Sequence, residues 1–108
     1  MVWTIVYHPE AERELGDIPV PAERVAVVHA VEKLGALGPE LPFPHQSHIE
    51  GPIRELRPRA GRSPWRAFYG RIGDTFVIVS VGPEAEVNRR GFARAVKAAA
   101  VRLDEIKA

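Results

Sequence analysis

Two strand-like runs, Trp65 to Ile72 and Thr75 to Val81, are separated only by Gly73 and Asp74. A connection of two residues forces the second run back antiparallel to the first, and a glycine at its start supplies the positive φ of a primed hairpin turn. A third run, Ile53 to Arg57, precedes the pair and reaches it through the loop Pro58 to Pro64, which contains Arg59, Gly61 and Arg62. Consecutive strands of this kind build an antiparallel sheet that must bury at least one face.

The covering elements are helical. Trp3 to His8 alternates as a first strand, with Trp3, Ile5 and Tyr7 on one side. Pro9 opens a short helix to Gly16, with Glu10, Glu12 and Glu14 early, where the helix dipole favours negative charge. Pro21 opens a second, in which Val27, Val31 and Leu34 repeat at helical spacing before Gly35 and Gly38 end it. Asp17 to Val20 turns one helix into the other. From about Val87 onward Phe92, Val96, Ala99, Leu103 and Ile106 mark one face of a long C-terminal helix. Gly38 to Pro52, with four prolines and few periodic apolar residues, reads as an ordered loop.

The expected order is therefore β-α-α-β-β-β-α in an α+β antiparallel sheet with the helices gathered on one face and the other face open. Alternation along Ile53 to Arg59 separates Leu56 from Glu55, Arg57 and Arg59. With Leu56 toward the helices, the charged row points into an uncovered concave surface. On the next strand Arg66 and Phe68 share one side, and Trp65, Ala67, Tyr69 and Arg71 the other; alternation does not choose between them.

The 108 residues, 45% hydrophobic and 27% charged, suit a single domain spanning 1–108. Without cysteine there is no disulfide framework, no thiolate nucleophile and no cysteine-based metal site, so chemistry must come from oxygen and nitrogen groups. No apolar run is long enough for a membrane span and no signal-like N-terminus stands out, which predicts a cytoplasmic protein without membrane partners. The net charge of +1 hides a division: residues 1–53 carry three basic and eight acidic side chains, residues 54–108 twelve and six. Arg54, Arg57, Arg59, Arg62, Arg66 and Arg71 face the single acid Glu55 in their stretch, with no lysine among them. Planar guanidinium forks bind phosphate oxygens in pairs and stack on bases, so RNA or DNA leads the partner classes. The plainer reading is a solvated arginine row, or arginines paired with acids of the first half.

The segment GPIRELRPRAGRSPWRAFYGRIGDTFVIVSVG, preceded by the proline-rich loop with PHQSHIE, resembles the RelE/HigB-type toxin superfamily, especially its phage-derived, HigB-like branch. An "ELR" strand, a glycine-containing loop, an "R-x-x-Y" strand and an apolar strand follow one another as in that family. The resemblance implies a compact RelE-like fold and the toxin of a type II toxin–antitoxin pair, usually an mRNA interferase that inhibits translation by cleaving mRNA on the ribosome. It further implies a cognate antitoxin encoded next door, expected to be a helix-turn-helix DNA-binding protein. By the same resemblance Arg57 and Arg59 hold RNA phosphates and Arg66 stabilises the reacting phosphate, with Phe68 beside it on the open face. Tyr69 is then a buried core residue or a supporting group. Where the family carries basic residues after the last strand, this chain has Glu84 and Ala85, with Arg89, Arg90 and Phe92 a few residues later.

Metal-free, cofactor-free RNA cleavage needs a base for the ribose 2′-OH, donors for the charge gathering on phosphate, and an acid for the leaving 5′-oxygen. Arginine suits only the middle role. The expected catalytic set is Arg57, Arg66 and Glu55; the expected RNA contacts are Arg54, Arg59, Arg62, Phe68, Arg89 and Arg90; and the candidate bases are His45, His48 and Tyr69. Against these stand plainer roles: Glu55 as an ion pair ordering Arg57 or Arg66, the two histidines as ordinary loop residues, and His8 and His29 as structural or surface groups. The alternative function is a non-cleaving RNA or ribosome binder, a gyrase-directed toxin of the ParE kind, or an inactive remnant of the same fold.

Overall fold

A computed structural model describes residues 2–108. In chain order it contains β1 (Thr4–Tyr7), α1 (Pro9–Gly16), α2 (Pro21–Leu37), β2 (Gln46–Glu50), β3 (Ile53–Leu56), β4 (Trp65–Ile72), β5 (Thr75–Pro83) and α3 (Arg89–Lys107), with short 3-10 turns at Gly38–Glu40 and Pro58–Gly61. The helices start where local chemistry supplies caps. The His8 ring accepts a hydrogen bond from the Glu10 amide (3.0 Å) ahead of Pro9, and the Asn88 side chain accepts one from the Gly91 amide (2.9 Å). Gly73, at φ 62°, carries the positive dihedral of the β4–β5 turn, as the sequence required.

Three features correct the sequence expectation. First, Gln46–Glu50 is a strand, not loop, so the sheet has five strands in the order β1-β5-β4-β3-β2. Its pairing with β3 across the Gly51–Pro52 turn is a backbone matter, and a segment whose only aliphatic residue is Ile49 gives no hydrophobic alternation to read. Second, β1 runs parallel to β5, which makes the sheet mixed. Third, the helices do not gather on one side. The α1–α2 hairpin packs with Leu56, Ala67, Tyr69, Phe76, Ile78 and Val81. Helix α3 covers the opposite face, over Ile53, Phe68, Val77 and Val79. Fully burying apolar side chains of this size is worth about 1.5–3 kcal/mol each, ample to seat a long amphipathic helix on a face left uncovered by the hairpin. Close approach is allowed at Gly82, where an added Cβ would stand 2.6 Å from the Ala95 Cβ. Of the predicted α3 stripe, Val96, Ala99 and Leu103 are buried, whereas Ile106 is exposed at the helix end.

A β-bulge sits in β5. Phe68 pairs with Ser80 and Tyr69 with Ile78, leaving Val79 as an extra residue. Val79 and Ser80 consequently both face α3, the Ser80 hydroxyl donating to the Ala95 carbonyl at 2.7 Å. Beyond the bulge β5 has no strand neighbour on the β1 side. Side chains from both helical layers fill the gap: Glu14 of α1 accepts from the Val81 amide (3.0 Å), Arg102 of α3 donates to the Val79 carbonyl (2.8 Å), and the two are joined at 2.9 and 3.0 Å.

Candidate nucleic-acid interface

Alternation places Glu55 of β3 and Arg66 of β4 on the α3 side of the sheet, the face the sequence assigned to the charged row. That face is closed, not open. Arg66 is 4% exposed and Glu55 5%. Every nitrogen of the Arg66 guanidinium has a protein partner: Nη1 donates to the Ser63 and Trp65 carbonyls (2.8 and 2.9 Å), Nη2 to the Gly61 carbonyl (3.4 Å) with Glu84 at 3.8 Å, and Nε lies 3.4 Å from Glu55. Burial pulls the Arg66 pKa down and neighbouring Arg57 adds to this, while Glu55 and Glu84 oppose it. The Glu55 carboxylate also accepts from Ser47 Oγ (2.6 Å) and Arg57 Nη1 (3.2 Å). Arg66 and Glu55 therefore tie the β3–β4 loop to the sheet, the ion-pair role weighed against catalysis from the sequence.

Arg57 is the hinge between this knot and solvent. Its guanidinium lies 5.7 Å from the centre of the Phe43 ring, itself 71% exposed, while its Nε is buried without a partner. The turn that follows is left-handed at two non-glycine residues, Arg59 (φ 56°) and Ala60 (φ 55°), and then at Gly61 (φ 93°). Such a conformation costs roughly 1–2 kcal/mol per non-glycine residue, and it holds Arg59 out on the surface. Gly61 is required twice over: by its dihedral, and because a Cβ there would stand 2.7 Å from Arg57 Nη2.

Arg57 and Arg59 open into a groove of about 650 Å³ whose other wall is α2. Small residues of α2, with Leu41, form its apolar floor; His29, Glu32 and Lys33 stand on the α2 wall, and His45 joins the arginine wall. The backbone ties that wall together, the Arg57 amide donating to the His45 carbonyl at 2.9 Å. The α2 positions and Phe43 were missed from the sequence. The groove-facing residues Ala22, Val25, Ala26, His29, Lys33 and Ala36 do follow helical spacing, but their surroundings come from the tertiary fold.

The remaining expected residues lie elsewhere. Phe68, expected on an open face, is completely buried under α3, edge-on to Phe92 with centroids 5.4 Å apart, and has no access to RNA. Arg54 is on the opposite sheet face, donating to Gln46 Oε1 (2.8 Å) beside Tyr69. Tyr69 is in the core, where burial raises its pKa against the opposing effect of Arg54, and it does not line the groove. His48 is exposed at the β2–β3 turn, 2.8 Å from the Gly51 carbonyl. Arg62 is exposed on the loop, its Nε donating to the Arg59 carbonyl, and Arg89 and Arg90 are exposed in the first turn of α3, outside the groove. No group of three or more side chains suited to a metal ion occurs among the described residues, and no helix among them is long and apolar enough to cross a membrane.

The model of the family described as Phage derived protein Gp49-like (DUF891) matches residues 13–82, and this chain belongs to that family. The matched span contains the Glu55 to Gly82 motifs on which the resemblance to RelE-type toxins rests. Among solved structures the chain is similar to one from the Mycobacterium tuberculosis toxin–antitoxin complex RelBE2, with TM-score 0.59 and 22% identity, over 78% of this chain and 100% of that one. It is also similar to an arginine-to-alanine double mutant of the E. coli toxin RelE in the free state, with TM-score 0.63 and 16% identity, over 90% and 97%. At these identities the likeness establishes a RelE-like fold. No curated protein is similar enough in sequence to count as a relative.

Proposed function

We propose that this protein is the toxin of a type II toxin–antitoxin pair, acting in the cytoplasm as an endoribonuclease on mRNA at the ribosome. The observation that carries the reading is the groove between α2 and the β3–β4 connection. It presents Lys33, Arg57 and Arg59 against the single acid Glu32, with Phe43 exposed at the Arg57 side. Guanidinium groups there clasp phosphate oxygens, and an exposed ring gives a base a stacking surface. The likeness to RelE and to a chain of the RelBE2 toxin–antitoxin complex supports both the toxin assignment and a cognate antitoxin, whose acidic or amphipathic segment would cover the cationic groove. Arg66 takes no catalytic part in this reading, since its donors are all engaged inside the protein.

The test is induction of the chain alone, followed by mapping of transcript ends. Growth arrest with new internal mRNA ends, both relieved in Arg57→Ala and Arg59→Ala, is the expected result; unimpaired growth on induction of a soluble product removes the toxin reading. The second reading, a non-cleaving toxin of the same fold, is favoured by the sequestered Arg66 and by Glu84 where a basic residue was expected. Growth arrest with intact transcripts would select it.

A further inference from the structure

The hairpin face of the sheet carries two arginines that the groove does not use. The β3–β4 register sets Arg54 opposite Tyr69, and Arg71, two residues further along β4, projects from the same side and stands opposite Phe76 of β5. Arg54 and Arg71 are thereby diagonal neighbours on adjacent strands, a relation that places Cβ atoms about 7–8 Å apart, within common reach of two long side chains. Both line one cavity of about 330 Å³, bordered by Pro39 of the Gly38–Glu40 turn and by Pro52 of the β2–β3 turn. No acidic residue lines it, and it shares no lining residue with the α2 groove.

Each guanidinium is anchored through its Nε and free at its far end. Arg54 Nε donates to Gln46 Oε1 at 2.8 Å, and Gln46 is held in turn by donating from Nε2 to the Leu41 carbonyl at 2.9 Å. Arg71 Nε donates to the Gly73 carbonyl at 2.7 Å, while its guanidinium carbon stands 4.8 Å from the centre of the Trp3 ring and 5.9 Å from that of Phe76. Among the described residues neither arginine forms an ion pair, whereas Arg13, Arg57, Arg66 and Arg102 all do. Tyr69 closes the set from below: burial raises its pKa, and Arg54 opposes that by its charge and by a side-chain hydrogen bond, which sets the phenol beside the guanidinium.

With Nε engaged, what each arginine offers is its Nη1–Nη2 edge, a planar fork that fits two oxygens of one phosphate. Two cations without a protein counterion call for a doubly charged anion. A phosphate monoester carries about −1.5 to −2 at neutral pH, whereas each phosphate inside a nucleic-acid strand carries a single charge. We propose that this cavity binds a phosphate monoester, the terminal phosphate of a nucleotide or of an RNA end, held by the forks of Arg54 and Arg71 with the Tyr69 hydroxyl as a further donor. Arg54 thus takes an oxyanion at a second site, on the far side of Leu41 and Gln46 from the Arg57–Arg59 wall.

The experiment uses the purified full chain, with affinity read by titration calorimetry and location by the arginine Nε resonances in NMR. Inorganic phosphate and adenosine 5′-monophosphate should shift the Arg54 and Arg71 signals at millimolar concentration. Arg54→Gln and Arg71→Gln are each expected to weaken binding ~10-fold, the value of one charge-assisted fork. Arg54→Lys, which keeps the charge and loses the fork, should lose nearly as much, a result that a diffuse positive field does not give. Arg62→Ala, on the exposed loop, should match the parent. Arg71 lies at the exposed rim, so its variant tests the site even where a change at Arg54 disturbs β2. One oligoribonucleotide prepared with a 5′-phosphate and with a 5′-hydroxyl separates the sources. An RNA end is the ligand if the phosphorylated oligomer binds at least ~10-fold more tightly than the mononucleotide, and a free nucleotide if the two bind alike. Phosphate binding that survives both glutamine substitutions within about twofold overturns the proposal. So does an oligomer that shifts the Arg54 and Arg71 signals equally with and without its terminal phosphate. None of these readouts uses growth arrest or transcript cleavage, so the proposal stands or falls apart from the nuclease reading.

Discussion

Replacing Arg66 by alanine tests whether its guanidinium is a structural knot or a ligand-binding group. The substitution removes every partner nitrogen from the Ser63, Trp65 and Gly61 carbonyls and leaves Glu55, 5% exposed, with only Arg57 and Ser47. Breaking one side of a buried ion pair typically costs ~3–5 kcal/mol, chiefly because the remaining charge stays in a poor solvent. The Arg57–Glu55 contact places this case at the lower end, about 3 kcal/mol, with up to ~1 kcal/mol more for carbonyls that water does not reach. Against a total stability of about 5–15 kcal/mol that is a large fraction. With a urea m-value of roughly 1.5 kcal/mol/M, the unfolding midpoint falls by ~2 M or more. Circular dichroism in urea measures it, with Arg59→Ala as the exposed comparison, expected within about 0.5 kcal/mol of the parent. A loss below about 1 kcal/mol in Arg66→Ala would refute the reasoning and return Arg66 to the list of groups available to RNA.

Three further outcomes follow from other parts of the molecule. Gly61→Ala forces a side chain into a φ of 93° and against Arg57, so RNA affinity in an anisotropy assay should fall by about 5–10-fold, the value of roughly one charge-assisted contact. Tyr7 and Tyr69, the only tyrosines, both have raised pKa values: burial leads in each, Glu12 and Glu32 add to it at Tyr7, and Arg54 opposes it at Tyr69. The folded protein keeps these protons where the unfolded chain loses them, so their contribution is complete below pH ~10 and declines as pH rises beyond it. Urea midpoints from pH 8 to 11 should show that decline, and the Tyr7→Phe, Tyr69→Phe double variant a flatter one. Arg102→Ala strips the cap from the Val79 carbonyl and leaves Glu14 with only the Val81 amide, costing ~1–3 kcal/mol. It also uncovers a β-edge, so sedimentation should show concentration-dependent association absent from the parent.

What the sequence made legible was local. The Gly73–Asp74 hairpin, the α1 start at Pro9, the α3 stripe as far as Leu103 and the separation of Leu56 from Glu55 are all consequences of nearest-neighbour dihedrals and periodicity, and all are present. The second layer was legible in principle: Thr75 to Val81 is apolar on both parities, which marks a strand buried on two sides and not one. Helix α3 covers that second side and with it buries Phe68 and Arg66. β2 was not legible, because its strand character resides in backbone pairing with β3, which sets Gln46 opposite Leu56 and Ser47 opposite Glu55. The groove was legible by halves. Its arginine wall follows from the motif, but the facing His29 and Lys33 are set opposite it only by the packing of α2.

The bulge at Val79 decides where this sheet ends. As far as Ile78, whose carbonyl takes the His8 amide, β5 offers its outer edge to β1. One residue later the backbone has turned through half a repeat, and the groups facing outward are claimed by a carboxylate and a guanidinium. Val79 is in that sense a stop codon for pairing: any strand that would lengthen β1 along this rim must first evict an ion pair that bolts the two helical layers together.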